Sequence, residues 1–346
     1  MTRGGLSPFP QIAAMGTVPG AAEGHGYDGL VERLEHPHWC RNLVGAARVA
    51  PGERVLIVVD EPLVEEGSQL LAAVEDAGAK PRLELWMGER PLVRPPTPIR
   101  ERARDASVLL FLAQEPHRDE ASARFEAQET ILEHGGRGIF LGFVDPPLLR
   151  GELSRPAVDL VETGRRLLEG SSTIRARGDA GTDLTVAVGG RPWLSDSLPL
   201  APGGFANYPN GEVYVAPHRD GADGVLVADL TIPYTTRGRV DMPVTLRFER
   251  GRVVEIEGGR AAQMLRELVA DAGRGADVAA ELGIGFNPSI APFGHVMLDE
   301  KAAGTAHVAI GRNTGSCGGD NEAEVHVDCV FSAPQVEADG RPIQLP

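Results

Sequence analysis

Arg54-Val55-Leu56-Ile57-Val58-Val59 decides the fold class of the first half of the chain. Five apolar residues in succession, three of them valine, form a strand buried on both faces, as in a parallel sheet covered by helices. Working outward, Val64, Leu70, Leu71 and Val74 recur at helical spacing over 64–78 and stop at Gly78. A strand at 82–87, a helix near 98–105 and an apolar strand at 107–113 follow. A helix at 119–134 then ends at Gly135-Gly136, and Gly138–Gly142 forms another strand. Strands alternating with helices predict a doubly wound α/β layer with a parallel sheet. The loop after the first strand reads Asp60-Glu61-Pro62 rather than a glycine-rich turn. An acidic loop repels phosphate, so a nucleotide site is rejected there.

A helix at 156–168 leads into a second half of different character. Ile174–Arg177 and Asp183–Val188 read as a hairpin around Asp179-Ala180-Gly181. Val225–Ala228 is an apolar strand, and Val244–Glu249 with Val253–Ile256 forms a second hairpin around Arg250-Gly251. Residues 260–282 read as two helices broken at Gly273–Gly275, and Val336–Arg341 as a final hairpin. The expected organisation is an irregular Gly/Pro/Ala-rich arm over 1–25, an α/β domain with a parallel sheet over 26–168, and an α+β domain rich in antiparallel strands over 169–346.

The chain has 346 residues, 42% of them hydrophobic, and a formal charge of −15. That charge argues against a nucleic-acid partner and against an anionic membrane surface. Only Lys80 and Lys301 are lysines; every other basic residue is arginine. Cys40, Cys317 and Cys329 make no disulfide framework. Cys317 and Cys329 lie close in sequence to His307 and His326; a buried or incidental cysteine is the default for each, with a thiolate ligand as the alternative. No stretch approaches the length of a membrane span, and the expected location is cytoplasmic.

Chemistry-bearing residues gather late in the chain. His307 lies in a strand between Gly304 and Gly311, and His326-Val327-Asp328 follows Gly318-Gly319. Side chains two apart on a strand share a face, so His326 and Asp328 could reach one metal centre. Imidazole with carboxylate suits Zn, Co, Mn or Fe. Glu212 follows a Pro-Asn-Gly turn at the start of an apolar strand, where an exposed edge charge is the default. Glu281 falls where a helix runs into the glycine-broken segment Leu282–Phe286, where a solvated helix-end carboxylate is the default. If both face the histidines instead, five ligands result, too many for one tetrahedral zinc and suited to two metals about 3.5–4 Å apart.

Four blocks carry a resemblance. They are Asn207–Pro217 (NYPNGEVYVAP), Glu281–Pro288 (ELGIGFNP), Leu298–Gly311 (LDEKAAGTAHVAIG) and Gly318–Asp328 (GGDNEAEVHVD). Taken together, in this order and rough spacing, they resemble the M29 metallo-aminopeptidases, also called the aminopeptidase T or thermophilic aminopeptidase family. The first half is similar only in its general α/β character. The resemblance implies metal ligands at Glu212, Glu281, His307, His326 and Asp328 around two divalent ions (Zn, Co or Mn), with Glu212 or Glu281 doubling as general base. It also implies a small peptide or amide substrate, an EC 3.4.11-type activity and a homodimer. A tyrosine that follows the first histidine in better-known members has no counterpart here, where Arg312-Asn313-Thr314 stands. A second branch, the 2,5-dihydroxypyridine dioxygenases, is similar in fold and in the terminal His-x-Asp but uses a single Fe(II). That branch has a histidine at the position of Glu281 and lacks the residues at Glu212 and His307. The alternatives are therefore a mononuclear ring-cleaving dioxygenase using His307, His326 and Asp328 or Glu281, and a non-peptidase metalloprotein on the same fold. Asp299-Glu300-Lys301 reads as a charged turn supporting the site, and His218, His295, Tyr208 and Tyr214 as flanking residues.

Overall fold

The computed structural model describes residues 37–114, 117–144, 149, 158–196, 198–314 and 318–345. The arm expected over 1–25, and Cys317, lie outside them.

Strand β1 (Arg54–Asp60) is buried at every residue but Arg54. It pairs in parallel with β2 (Lys80–Trp86) on one side and β3 (Val108–Leu112) on the other. With β4 (Arg137–Leu141) and β8 (Phe205–Asn207) they form one sheet in the order β2-β1-β3-β4-β8. Helices Val64–Asp76, Thr97–Asp105 and Ala121–Glu133 connect its strands. The apolar run splits by the two-residue period of a strand. Val55, Ile57 and Val59 join Leu43, Leu70 and Val74 on one face. Leu56 and Val58 join Ile99, Ala103 and Ile131 on the other. Helices on both faces explain why these strands read as continuous rather than alternating. Strand β8 belongs to the stretch 169–346, yet it adds to this first sheet, and the chain leaves it directly into Tyr208-Pro209-Asn210-Gly211-Glu212.

The rest is antiparallel. The expected hairpins form as β5 (Thr173–Arg177) with β6 (Asp183–Ala187), and β11 (Val244–Glu249) with β12 (Arg252–Glu257). With β10 (Ala222–Ala228), β16 (Gln335–Ala338) and β17 (Arg341–Ile343) they make a seven-stranded sheet. A five-stranded sheet runs in the order β15 (His326–Ser332), β14 (Thr305–Gly311), β13 (Ala279–Gly285), β9 (Glu212–Val215), β7 (Leu194–Ser195).

One expectation fails here. Residues 260–272 are a helix ending at Gly273, whose φ of 68° stops it, but the expected second helix is strand β13. Ala279-Ala280-Glu281-Leu282 favours a helix by intrinsic propensity. Pairing between β9 and β14 overrides it, because all seven residues of β13 are buried.

One core joins the two antiparallel sheets. Ile174, Leu184, Val186, Leu226 and Leu246 meet Val213, Val215, Leu282, Ile284, Val308, Ile310 and Val327. Strands β9, β13, β14 and β15 give alternate residues to this core, so their remaining residues face the other way. Leu282 is fully buried on the core side. Leu282→Ala is expected to lower unfolding free energy by about 2–5 kcal/mol in denaturant titrations. A loss under about 0.5 kcal/mol, the range of surface changes, would contradict this packing.

Candidate metal centre

The face of the five-stranded sheet turned from the core carries all five expected ligands. Val213 and Val215 point into the core, leaving Glu212 on the other face; Leu282 and Ile284 do the same for Glu281. Val308 and Ile310 leave His307, and Val327 and Cys329 leave His326 and Asp328. Cross-strand register completes the cluster. Glu281 lies opposite Ala309, which lies opposite Asp328. His307 lies opposite Gly283, and Glu212 opposite Gly285. Small residues thus separate the large charged ones. A Cβ on Gly283 would stand 2.1 Å from Cε1 and 2.3 Å from Nε2 of His307, so the imidazole occupies the space that this glycine leaves. Glu212 is 5% exposed and Glu281 6%, so neither is the solvated charge that its local sequence suggested.

His307 Nε2 stands 3.1 Å from Glu281 Oε1, 3.7 Å from Glu212 Oε2 and 3.8 Å from Asp328 Oδ1. His326 Nε2 stands 3.2 Å from Asp328 Oδ1. His326 Nδ1–H donates to the Arg312 carbonyl at 2.7 Å, which aims Nε2 at the carboxylates. That is the arrangement by which a backbone carbonyl fixes the tautomer of a metal-binding histidine. Among the described residues two donor groups form, Glu212–Glu281–His307 and Glu281–His326–Asp328, each with its ligand atoms within 4.8 Å of one another. Each group offers one imidazole and two carboxylates, and Glu281 belongs to both. Nitrogen and oxygen donors in this ratio suit Zn, Co or Mn.

The carboxylates favour protonated imidazoles in this cluster. Burial disfavours the His307 imidazolium, but its hydrogen bond to Glu281 and the charges of Asp328 and Glu212 outweigh burial and bring it up to about 9. For His326, burial is likewise outweighed, chiefly by Asp328, up to about 10. Asp328 is held well below the usual carboxylate range; burial opposes this, and His326 overcomes it.

A second layer lies under Glu212. Lys301 is fully buried, and its Nζ reaches Glu212 Oε1 at 2.9 Å, Asp196 Oδ2 at 3.4 Å and the carboxylate of Glu300. Asp196 follows β7 and donates its backbone N–H to the Glu212 carbonyl at 3.3 Å. Burial raises Asp196 well above the usual range. Burial also raises Glu300, to about 8, with Lys301 opposing it. The sequence places Glu300 and Lys301 in a charged turn but gives no sign of Asp196; a lysine in a chain whose other basic residues, Lys80 apart, are arginines singles out Lys301 alone.

The remaining candidates fall elsewhere. Cys329 faces the apolar core, where burial pushes its thiol up, so it cannot serve as a thiolate ligand. Nε2 of His218 meets the Gly189 carbonyl, and His295 packs against Phe143 and Phe293; neither belongs to a donor group. Tyr208 is buried in the core of the first sheet. Tyr214 shares the ligand face of β9 with Glu212. Arg312 lies over the Phe125 ring, and buried Asn313 bonds to Gly319, Ala280 and Asn321.

Two outcomes follow from this geometry. Gly283→Ala is expected to displace the His307 ring and lower Co(II) affinity at least tenfold in equilibrium dialysis, a typical cost of disturbing ligand orientation, with the circular dichroism spectrum retained. Parent-like affinity would contradict the cradle. In metal-free protein, both histidines have raised folded-state pKa values, so their stabilisation is complete below about pH 6.5 and is lost as pH rises through about 9–10. Chelator-treated protein should therefore lose Tm between pH 7 and 10, and His326→Gln should lose less. Metal affinity should rise over the same window, since each imidazole must shed its proton to bind. Affinity that does not depend on pH would count against these ligands.

Known proteins resemble this chain in sequence and in fold. The sequence profile of the thermophilic metalloproteases (M29) matches residues 160–344, more than half of the chain. Aminopeptidase T of Thermus aquaticus is 33% identical over 181 residues, covering 46% of this chain and 43% of that protein. The 2,5-dihydroxypyridine 5,6-dioxygenase of Pseudomonas putida is 31% identical over 149 residues, covering 40% of this chain and 41% of that protein. Each match thus spans less than half the length of the curated relative. Among solved structures, 2,5-dihydroxypyridine dioxygenase from Pseudomonas putida superposes with a TM-score of 0.71 over 89% of this chain and 94% of its own. AmpT from Thermus thermophilus does so with 0.66 over 88% and 96%. Both are 20% identical, so these likenesses speak for the fold. By the profile match over its antiparallel half, the chain belongs to the M29 family of thermophilic metalloproteases.

Proposed function

We propose that this protein is a metal-dependent aminopeptidase or related amide hydrolase that binds two divalent ions. One observation carries the reading: the two donor groups share Glu281. A shared carboxylate with one imidazole on either side suits a pair of ions better than one. Charge supports it as well: with both imidazoles neutral, the carboxylates of Glu212, Glu281 and Asp328 outnumber the one Lys301 ammonium, an excess of negative charge that divalent cations would offset.

Glu212, Glu281 and His307 would hold one ion, and Glu281, His326 and Asp328 the other. Zn, Co or Mn bound there would polarise a scissile carbonyl and acidify water at neutral pH. The chain's own residues supply the rest. Glu212 or Glu281 takes the proton of the attacking water. A carboxylate on the ligand face receives the free amine of a small peptide, which confers preference for chain ends. Tyr214 shares the ligand face of β9 with Glu212, and its phenol would stand in for the tyrosine that better-known members carry after the first histidine. We propose the homodimer as the working assembly.

The second reading is a mononuclear Fe(II) ring-cleaving dioxygenase, supported by the relative from Pseudomonas putida. A facial triad needs two histidines and one carboxylate. Among the described residues each donor group has the reverse ratio, which favours the hydrolase.

Purified protein is expected to release the N-terminal residue from a dipeptide or an amino-acid p-nitroanilide. Activity should vanish on chelation and return with Co(II), Zn(II) or Mn(II). No hydrolysis under metal reconstitution, with oxygen uptake on 2,5-dihydroxypyridine in the iron-loaded protein, would overturn the reading. Whichever of Glu212→Gln and Glu281→Gln removes the base should cost about 10²- to 10⁴-fold in kcat with metal retained; metal loss marks the altered residue as essential to binding.

A further inference from the structure

We infer that Lys301 is a positioning residue that reserves one oxygen of Glu212 and leaves the other to the metal centre. The inference rests on the two-metal reading above.

The two oxygens of Glu212 have different neighbours. Oε1 lies 2.9 Å from Lys301 Nζ, and Oε2 lies toward His307 Nε2 at 3.7 Å. With Oε1 engaged by an ammonium, Glu212 presents a single oxygen to the ligand face. Lys301 is itself held. Its carbonyl accepts from the Asn287 N–H at 2.9 Å, and Asn287 Nδ2 donates to the Asn210 carbonyl at 2.8 Å. Asn287 thus ties the backbone that carries Lys301 to the turn that delivers Glu212. Gly211 allows this approach: a Cβ there would stand 2.8 Å from the Lys301 carbonyl oxygen.

The residue type fits the task. An ammonium has three N–H donors on a compact centre, and three carboxylates surround this one: Asp196, Glu212 and Glu300. A guanidinium is a planar fork suited to bidentate pairing and does not match three separate acceptors around a fully buried point. Lys301 also neutralises part of the charge beneath the ligands. Without it, Glu212 could rotate both oxygens toward the centre or toward Asp196.

Counter-charge and positioning separate between two double variants of equal charge. Lys301→Met with Glu300→Gln removes the ammonium together with its Glu300 partner and takes the lysine's N–H donors from Glu212. Lys301→Gln with Glu300→Gln has the same charge but keeps an amide N–H at position 301. The probe is Co(II) alone, followed by equilibrium dialysis and visible absorption. The Met pair is expected to fold cooperatively, to bind Co(II) about 10- to 100-fold more weakly, as loss of a residue that orients a ligand does, and to shift the d–d bands. The Gln pair should recover part of both. A Met pair that binds Co(II) within twofold of the parent, with an unchanged spectrum, would overturn the inference and leave Lys301 a counter-charge. Failure of both pairs to fold would overturn it too, by making Lys301 a folding residue first. A parent protein that takes up no Co(II) would refute the two-metal reading and this inference with it. Parent binding with unaffected variants refutes the inference alone.

Discussion

The two-residue repeat of β9, β13, β14 and β15 sets the rest of the structure. One face of that sheet is apolar and closes against the seven-stranded sheet. The other carries three carboxylates and two imidazoles. A slip of one residue would drive Glu281 and His307 into the core and Leu282 and Val308 into the charged cluster. Register is therefore fixed twice over, by hydrophobic burial and by the cost of burying charge without a partner.

The charged face has its own constraint. Carboxylates this close repel, and burial denies them water. Lys301 and the two imidazoles reduce the repulsion, and the raised pKa values of His307, His326 and Glu300 follow from crowding these groups out of water. Removing one partner from such a network costs more than removing an exposed pair, because the charge left behind stays buried. The alternation that builds the core thus also builds a site whose charge a metal can balance.

Much of this was legible in the sequence. The Arg54–Val59 run and its flanking helical spacing place the parallel sheet, because continuous burial leaves a continuous apolar record. His326 and Asp328 could be put on one face from their spacing alone. Glu281 could not be read correctly by local means: Ala279-Ala280-Glu281-Leu282 favours a helix, and only pairing with β9 and β14 makes it a strand. Glu212 looked like an edge charge for a similar reason, since its burial comes from strands distant in sequence. Family resemblance supplied what local pattern lacked for both. Asp196 left no signal, since it sits in a loop and meets Lys301 only through the fold. Strand β8 was missed because a three-residue strand is too short to carry a periodicity.

The central claim is that Glu281 joins two metal positions on one sheet face. Anomalous diffraction from a Zn(II)- or Co(II)-loaded crystal tests it most directly. The account predicts two peaks about 3.5–4 Å apart, one bounded by Glu212, Glu281 and His307 and the other by Glu281, His326 and Asp328. A single peak held by His307, His326 and one carboxylate, or peaks away from this face, would contradict it.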